Sequence, residues 1–115
     1  MKMPFIHVRT SGKISEKQKQ ELKTDFGRKI ELLPGKTEQW LMIQFEGECG
    51  LFFQGSDQPC VLLDIAVYGS AGSGAYGNLT RALSGDIERV LGIPASRIYV
   101  KYAETQYWGW DKENF

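Results

Sequence analysis

The chain has 115 residues, of which 42% are hydrophobic, and this is enough for one compact domain with its own core. Lys and Arg number 14 and Asp and Glu number 14, so no basic excess predicts nucleic acid or an anionic membrane as a partner. The apolar stretches are too short to span a bilayer, and the first residues lack the hydrophobic region of a secretory signal. We therefore expect a single domain over residues 1–115.

The two cysteines predict a reduced protein. Cys49 and Cys60 lie in different segments, without a CxxC pair or the spacing of a metal site. Together with the lack of a leader, they predict a cytoplasmic location, and export without a leader peptide is the alternative. We predict no metal site.

The first half of the chain has the pattern of strand, helix and strand. Residues 5–10 (FIHVRT) are rich in β-forming residues and predict a strand. Ser15, followed by Gln18, fits a capping box at the start of a helix whose apolar residues recur every three or four positions. A Pro-Gly pair ends this helix. Residues 40–45 (WLMIQF) then form an apolar run of strand length, typical of a strand that is covered on both faces.

The second half repeats this order. Residues 60–67 (CVLLDIAV) predict a strand, apolar positions from Tyr76 to Leu91 mark an amphipathic helix, and residues 98–102 (IYVKY) alternate as a strand. The repetition predicts a duplicated β-α-β unit. The fold class is then α+β, with a four-stranded mixed sheet, parallel strands within each unit and two helices on one face. An α+β sandwich without a true duplication is the alternative.

One face of such a sheet has no helix to cover it. The strands carry apolar residues on both sides, such as Leu62, Leu63, Ile65 and Val67. Other copies of the chain would cover this face most simply, so we predict an obligate oligomer, most simply a ring. Apolar residues outside the repeat would add strands or contacts between copies: Leu51, Phe52, Phe53, Tyr107, Trp108 and Trp110.

Five short motifs resemble the tautomerase superfamily, and within it the macrophage migration inhibitory factor (MIF) branch. Pro4-Phe5-Ile6 resembles the family's amino-terminal proline strand. The other motifs follow in order: Gly35-Lys36 before the second strand, Ser56 to Cys60 at the entry to the third, Ser96 to Val100 in the fourth, and Gly109-Trp110 near the end. No single motif is specific, but their order covers essentially the whole chain.

The resemblance implies the tautomerase/MIF fold, a homotrimer with active sites at subunit boundaries, and no metal or organic cofactor. It also implies keto–enol tautomerisation of small aromatic 2-oxo acids, with phenylpyruvate as the model substrate. Pro4 would be the catalytic base, because an apolar pocket and a nearby cation lower the pKa of an amine toward the operating pH. Lys36 would hold the substrate carboxylate.

The resemblance places further residues at the substrate-binding site. Tyr99 would line the pocket of the neighbouring subunit, and Trp110 and Phe115 would form an aromatic wall. Three residues depart from the pattern of the animal cytokine, and they predict a narrower or re-shaped pocket. Tyr68 stands where the cytokine has an isoleucine whose backbone contacts the substrate, Lys101 replaces an asparagine and adds a cation at the rim, and Trp108 replaces a smaller residue.

The residues before Pro4 separate two hypotheses about function. Behind Met1, Lys2 and Met3 the Pro4 nitrogen is an amide, and the long Lys2 side chain predicts that Met1 is retained. Translation from Met3 would allow removal of that methionine and expose a proline amine. The first hypothesis is a tautomerase whose chain begins at Pro4. The second is a non-catalytic cytokine mimic or interaction protein, with a host receptor as partner if the protein is secreted.

Overall fold

The computed structural model of the chain describes residues 3–115, and the prediction that concerns Met1 and Lys2 lies outside the described residues. Four strands form the main sheet in the order β2-β1-β3-β4: β1 (Pro4–Thr10), β2 (Met42–Glu46), β3 (Val61–Tyr68) and β4 (Ile98–Thr105). The remaining elements are the helices α1 (Glu16–Lys29) and α2 (Ser73–Leu91) and a terminal hairpin of β5 (Gly109–Trp110) and β6 (Glu113–Asn114).

The strand pairing follows the two halves of the sequence. β1 and β2 are parallel, β3 and β4 are parallel, and β1 and β3 are antiparallel. Each parallel pair belongs to one β-α-β unit, and the two units meet where β1 pairs with β3. This arrangement confirms the α+β class and the four-stranded mixed sheet predicted from the repeated order.

Helix α1 begins at the predicted capping box. The Ser15 Oγ accepts the Gln18 backbone N–H at 3.1 Å, and the Gln18 Oε1 accepts the Ser15 N–H at 2.9 Å. Two backbone donors that the helix itself cannot satisfy are thus paired. The α-helix ends at Lys29 and the chain continues as a 3₁₀ turn, Ile30–Leu32, which is earlier than the apolar periodicity predicted.

Both helices pack on the same face of the sheet. Apolar residues of α1, α2, β1, β3 and β4 form one buried cluster. Ile43 and Phe45 of β2 are partly buried and pack against it. The fully buried members of this core include Ile6, Val8, Leu22, Phe26, Leu63, Ile65, Val67, Leu79, Leu83 and Ile87. Burial of each such side chain contributes about 1.5–3 kcal/mol, so this layer supplies most of the favourable free energy of folding.

The opposite face, which we call the open face, is less apolar than predicted. Leu63, Ile65 and Val67 all lie under the helices, because residues two apart in a strand share a face. Of the residues cited for two-sided burial, Leu62 alone lies on the open face, next to Asp64. The expectation that β2 is covered on both faces is also wrong within one chain, since Met42 is 67% exposed. The open face thus supports an oligomer less strongly than we predicted.

Polar and charged side chains cross the open face in a chain of contacts. The His7 Nε2 lies 2.8 Å from the Glu46 Oε1, the Arg9 Nη1 lies 3.5 Å from the Asp64 Oδ2, and the Lys101 Nζ lies 3.8 Å from that same oxygen. The two ion pairs of Asp64 are partly exposed, and such pairs contribute little to stability, at most about 1 kcal/mol each. Their main consequence is a polar surface that tolerates water.

Arg97 ties the segment between β2 and β3 to the start of β4. Its Nη1 donates to the Phe53 carbonyl at 2.8 Å, and its Nη2 donates to the Gln58 carbonyl at 2.7 Å. The guanidinium carbon also lies 5.2 Å from the centre of the Phe53 ring. Lysine cannot reproduce this planar fork of donors, so the segment depends on an arginine at this position.

We expect Arg97→Lys to lower the free energy of unfolding by about 1.5–3 kcal/mol, because hydrogen bonds from a charged donor are lost. Denaturant unfolding measures this change. Arg81→Lys is the matched control, since Arg81 donates to Asn78 on its own helix and lies on the surface, and it should change stability by less than about 0.5 kcal/mol. Equal losses in the two variants would contradict the assignment.

Candidate active site

Pro4 begins the central strand β1 and is buried. It pairs with Val67 in the antiparallel ladder, at a strand position that tolerates the missing N–H of proline. The residue before it continues this pairing, because the Met3 carbonyl accepts the Tyr68 N–H at 3.0 Å. The nitrogen of Pro4 is therefore held at the start of β1, next to the end of β3.

Lys36 reaches the same region through the turn that follows α1. Gly35 adopts φ of 76°, which favours glycine, and the Lys36 N–H closes the turn on the Leu33 carbonyl at 3.1 Å. The Lys36 side chain is only 2% exposed, and its Nζ lies 3.4 Å from the Tyr68 carbonyl. Since a buried ammonium needs polar partners, this turn fixes a positive charge beside Tyr68.

A cavity of about 490 Å³ opens beside Pro4. All three tryptophans of the chain line it, together with Phe5. The Trp40 and Trp110 rings meet edge to face, with centroids 5.1 Å apart. Walls of this kind suit an aromatic ring, because aromatic pairs prefer edge-to-face or offset geometry. The remaining lining residues are Met3, Gln39, Leu41, Met42 and Gly109.

The terminal hairpin brings the aromatic residues of the tail to this cavity. Asp111 and Lys112 have φ of 53° and 72°, as the two central residues of a tight hairpin turn require. The Phe115 N–H donates to the Trp108 carbonyl at 3.0 Å, and the Phe115 ring lies 5.7 Å from the Tyr68 ring. The hairpin thus carries Trp108 to the cavity wall and Phe115 to Tyr68.

The structure brings together six of the eight predicted site residues. Pro4, Trp108 and Trp110 line the cavity, and Lys36 and Phe115 both contact Tyr68, whose N–H bonds to the residue before Pro4. What these residues do chemically stays a prediction.

Tyr99 and Lys101 lie elsewhere in the same chain. In the register of the sheet, Pro4 aligns with Val67 and then Glu104, and Tyr99 comes five residues before Glu104, roughly 17 Å along β4. Tyr99 is 63% exposed and packs on Phe53, with ring centroids 4.6 Å apart. Both residues project from the open face. This position agrees with a role for Tyr99 in a neighbouring copy but does not test it.

Sequence reasoning missed Trp40, Gln39 and Met42 as lining residues. Trp40 was assigned to the second strand, but residues 38–40 form a 3₁₀ turn and β2 begins at Met42. The predicted parallel pairing of the first two strands already places these residues beside Pro4. Because β1 and β2 are parallel neighbours, the residues just before β2 must lie beside Pro4 at the start of β1.

A tyrosine pair lies at the end of β4, on the helix side. The Tyr76 hydroxyl donates to the Glu104 Oε2 at 2.7 Å, and its ring lies 4.4 Å from that of Tyr102. Burial, and then the hydrogen bond and negative charge of Glu104, raise the pKa of Tyr76 to about 12. Burial also raises the pKa of Tyr102.

The raised pKa of Tyr76 predicts a loss of stability in alkali. An unfolded tyrosine ionises near pH ~10, whereas the folded one resists ionisation to about pH 12, so the free energy of unfolding falls between these values. Tyr76→Phe should flatten this fall in denaturant midpoints measured against pH. Tyr107→Phe is the control, because Tyr107 is 71% exposed and should leave the slope unchanged. Identical slopes for all three proteins would contradict the prediction.

Within residues 3–115 no group of three or more His, Cys, Asp or Glu side chains is placed to hold a metal ion. Neither of the helices in this part of the chain has the length and apolar character needed to cross a membrane.

Two β-α-β units, with both helices on one face of a four-stranded mixed sheet, define the α+β tautomerase/MIF fold. The family model for macrophage migration inhibitory factor matches residues 3–113. The chain therefore belongs to the macrophage migration inhibitory factor family.

Known relatives match over nearly the whole chain. The macrophage migration inhibitory factor of Xenopus laevis is 24% identical, over 98% of this chain and 99% of that protein. The crystal structure of Leishmania major MIF2 superposes with a TM-score of 0.92 at 29% identity, over 98% of this chain and 97% of that chain. The homologue from Prochlorococcus marinus superposes with a TM-score of 0.85 at 26% identity, over 96% and 98%.

Proposed function

We propose that the protein is a MIF-like tautomerase that interconverts the keto and enol forms of phenylpyruvate-type aromatic 2-oxo acids, when its chain begins at Pro4. The observation that carries this proposal is the position of Pro4, buried at the head of β1 beside an aromatic cavity. Lys36, held by the Tyr68 carbonyl, supplies the nearby positive charge. Family membership supports the same chemistry.

The proposed reaction moves one proton between carbon and oxygen. In the direction of the enol, the Pro4 amine takes a proton from the carbon next to the keto group. The electrons of that C–H bond form the C=C bond, and the keto oxygen gains an electron pair and then a proton. The reverse sequence regenerates the keto acid. Lys36 holds the substrate carboxylate, and the tryptophan walls hold its ring.

We propose further that the chain works as a homotrimer. Several large apolar side chains are exposed in one copy, and contacts between copies would bury them: Met42, Phe52, Tyr99, Tyr107 and Trp110. In this assembly Tyr99 and Lys101 reach the cavity of the neighbouring copy, which explains why they lie far from Pro4 of their own chain. No metal or organic cofactor takes part. The protein acts in the cytoplasm.

A non-catalytic interaction protein is the second candidate, and one observation favours it. In a chain that retains Met3 the Pro4 nitrogen is an amide, and Met3 is buried and accepts a hydrogen bond from the Tyr68 N–H. Such a chain keeps the fold and the cavity but lacks the base. It would act as a cytokine mimic on a receptor outside the cell.

Two measurements on protein from its native source distinguish the two proposed functions. Intact mass of protein from its native source gives the first residue, and a phenylpyruvate assay on the same sample gives its turnover. The tautomerase predicts a chain that begins at Pro4 and is active. A native chain that retains Met3 and shows no turnover favours the interaction protein, and a chain that begins at Pro4 without turnover contradicts the enzyme.

A further inference from the structure

Met3 is part of the candidate site as well as the residue before Pro4. Met3 is only 3% exposed and lines the cavity together with Pro4, so it is part of the cavity wall. Its carbonyl accepts the Tyr68 N–H at 3.0 Å. A segment that merely preceded the fold would show neither the burial nor the hydrogen bond.

Tyr68 connects Met3 to the buried positive charge. The N–H of Tyr68 donates to the Met3 carbonyl, and the carbonyl of Tyr68 lies 3.4 Å from the Lys36 Nζ. The Tyr68 N–H is a donor that an oxygen atom bound near Pro4 could use. In the chain that retains Met3, this donor is already used by the protein's own carbonyl.

We propose that Met3 is an intramolecular inhibitor of the cavity, and this inference rests on the proposed function of the site. Its carbonyl takes the place of a substrate oxygen at the Tyr68 N–H, and its side chain narrows the cavity beside Pro4. The chain that retains Met3 thus binds the substrate less tightly, besides lacking the amine. Removal of residues 1–3 frees a hydrogen-bond donor and enlarges the cavity in the same step.

The test measures binding of phenylpyruvate, followed by tryptophan fluorescence because all three tryptophans line the cavity. We expect the chain that begins at Pro4 to bind with a Kd at least about tenfold lower than the full chain. Met3→Gly in the full chain removes the methionine side chain while the Pro4 nitrogen stays an amide. It therefore measures the effect of this side chain on binding without creating the amine. It should recover part of the affinity. Met3→Leu, which keeps a buried apolar side chain of similar volume, should keep the low affinity of the full chain.

Hydrogen exchange of the Tyr68 amide provides a second measurement that does not depend on the Met3→Gly variant folding well. This amide should be protected in the full chain, exchange faster in the chain that begins at Pro4, and regain protection when phenylpyruvate binds. Equal affinities of the full and cut chains, or a Tyr68 amide that exchanges alike in both, would overturn the proposal.

The outcomes also separate this inference from the proposed function. A cut chain that binds more tightly but shows no turnover supports the inhibitor and contradicts the tautomerase. A cut chain that turns over phenylpyruvate but binds it no more tightly than the full chain supports the tautomerase and overturns the inhibitor.

Discussion

A chain cut to begin at Pro4 is expected to interconvert keto and enol phenylpyruvate about 10²–10⁴ times faster than the chain that retains Met3, because this is the usual contribution of general acid–base catalysis. The cut exposes a secondary amine at the head of β1, where the strand pairing with Val67 holds it beside the cavity. With Met3 attached, that nitrogen has no available lone pair. The rate constants of both chains follow from the absorbance of the enol.

Acetylation of the cut chain provides the control. An acetyl group on Pro4 restores an amide without restoring the Met3 side chain, so the rate should fall back toward that of the full chain. The fold should persist, because the cluster of buried apolar residues begins at Ile6 and does not include Pro4. A cut chain no faster than the full one, or an acetylated chain that keeps its activity, would exclude Pro4 as the base.

The fold could be predicted because its determinants are local. The capping box at Ser15 and Gln18, the alternation in β4 and the repeated order of elements each depend on residues close in sequence. Leu62 and Leu63 show that composition alone does not predict which face of the sheet a residue lies on. A run of apolar residues in β3 suggested two covered faces, but alternation places four of its aliphatic residues on the helix side, Val61, Leu63, Ile65 and Val67.

The site could be predicted in part, and the resemblance carried most of that prediction. Pro4, Lys36 and Trp110 could be identified because they lie in the motifs, whereas Trp40 lies in none of them. Its role depends on contact with Trp110, far along the chain, and on a 3₁₀ turn that an apolar pattern cannot distinguish from the start of a strand. The contact between Met3 and Tyr68 likewise joins residues that are far apart in the sequence, since it depends on β1 pairing with β3.

Lys36→Met, made in the chain that begins at Pro4, is expected to raise the KM for phenylpyruvate about 10- to 100-fold, with a smaller change in kcat. The physical reason is the loss of a charged donor, because hydrogen bonds to charged groups contribute about 1.5–3 kcal/mol and each 1.4 kcal/mol corresponds to a factor of ten. Lys36 is only 2% exposed, so water screens its charge poorly. Methionine keeps most of the volume and should preserve the fold.

Two comparisons make this prediction specific to the carboxylate. The methyl ester of phenylpyruvate has no negative charge, so its KM should hardly change between the parent chain and Lys36→Met. Lys13→Met removes an exposed lysine and should leave the KM for both compounds unchanged. If Lys36→Met weakens the acid and the ester equally, Lys36 supports the shape of the cavity and not the recognition of the carboxylate. A KM for the acid that does not change would remove Lys36 from the site, and the buried ammonium beside Tyr68 would then be purely structural.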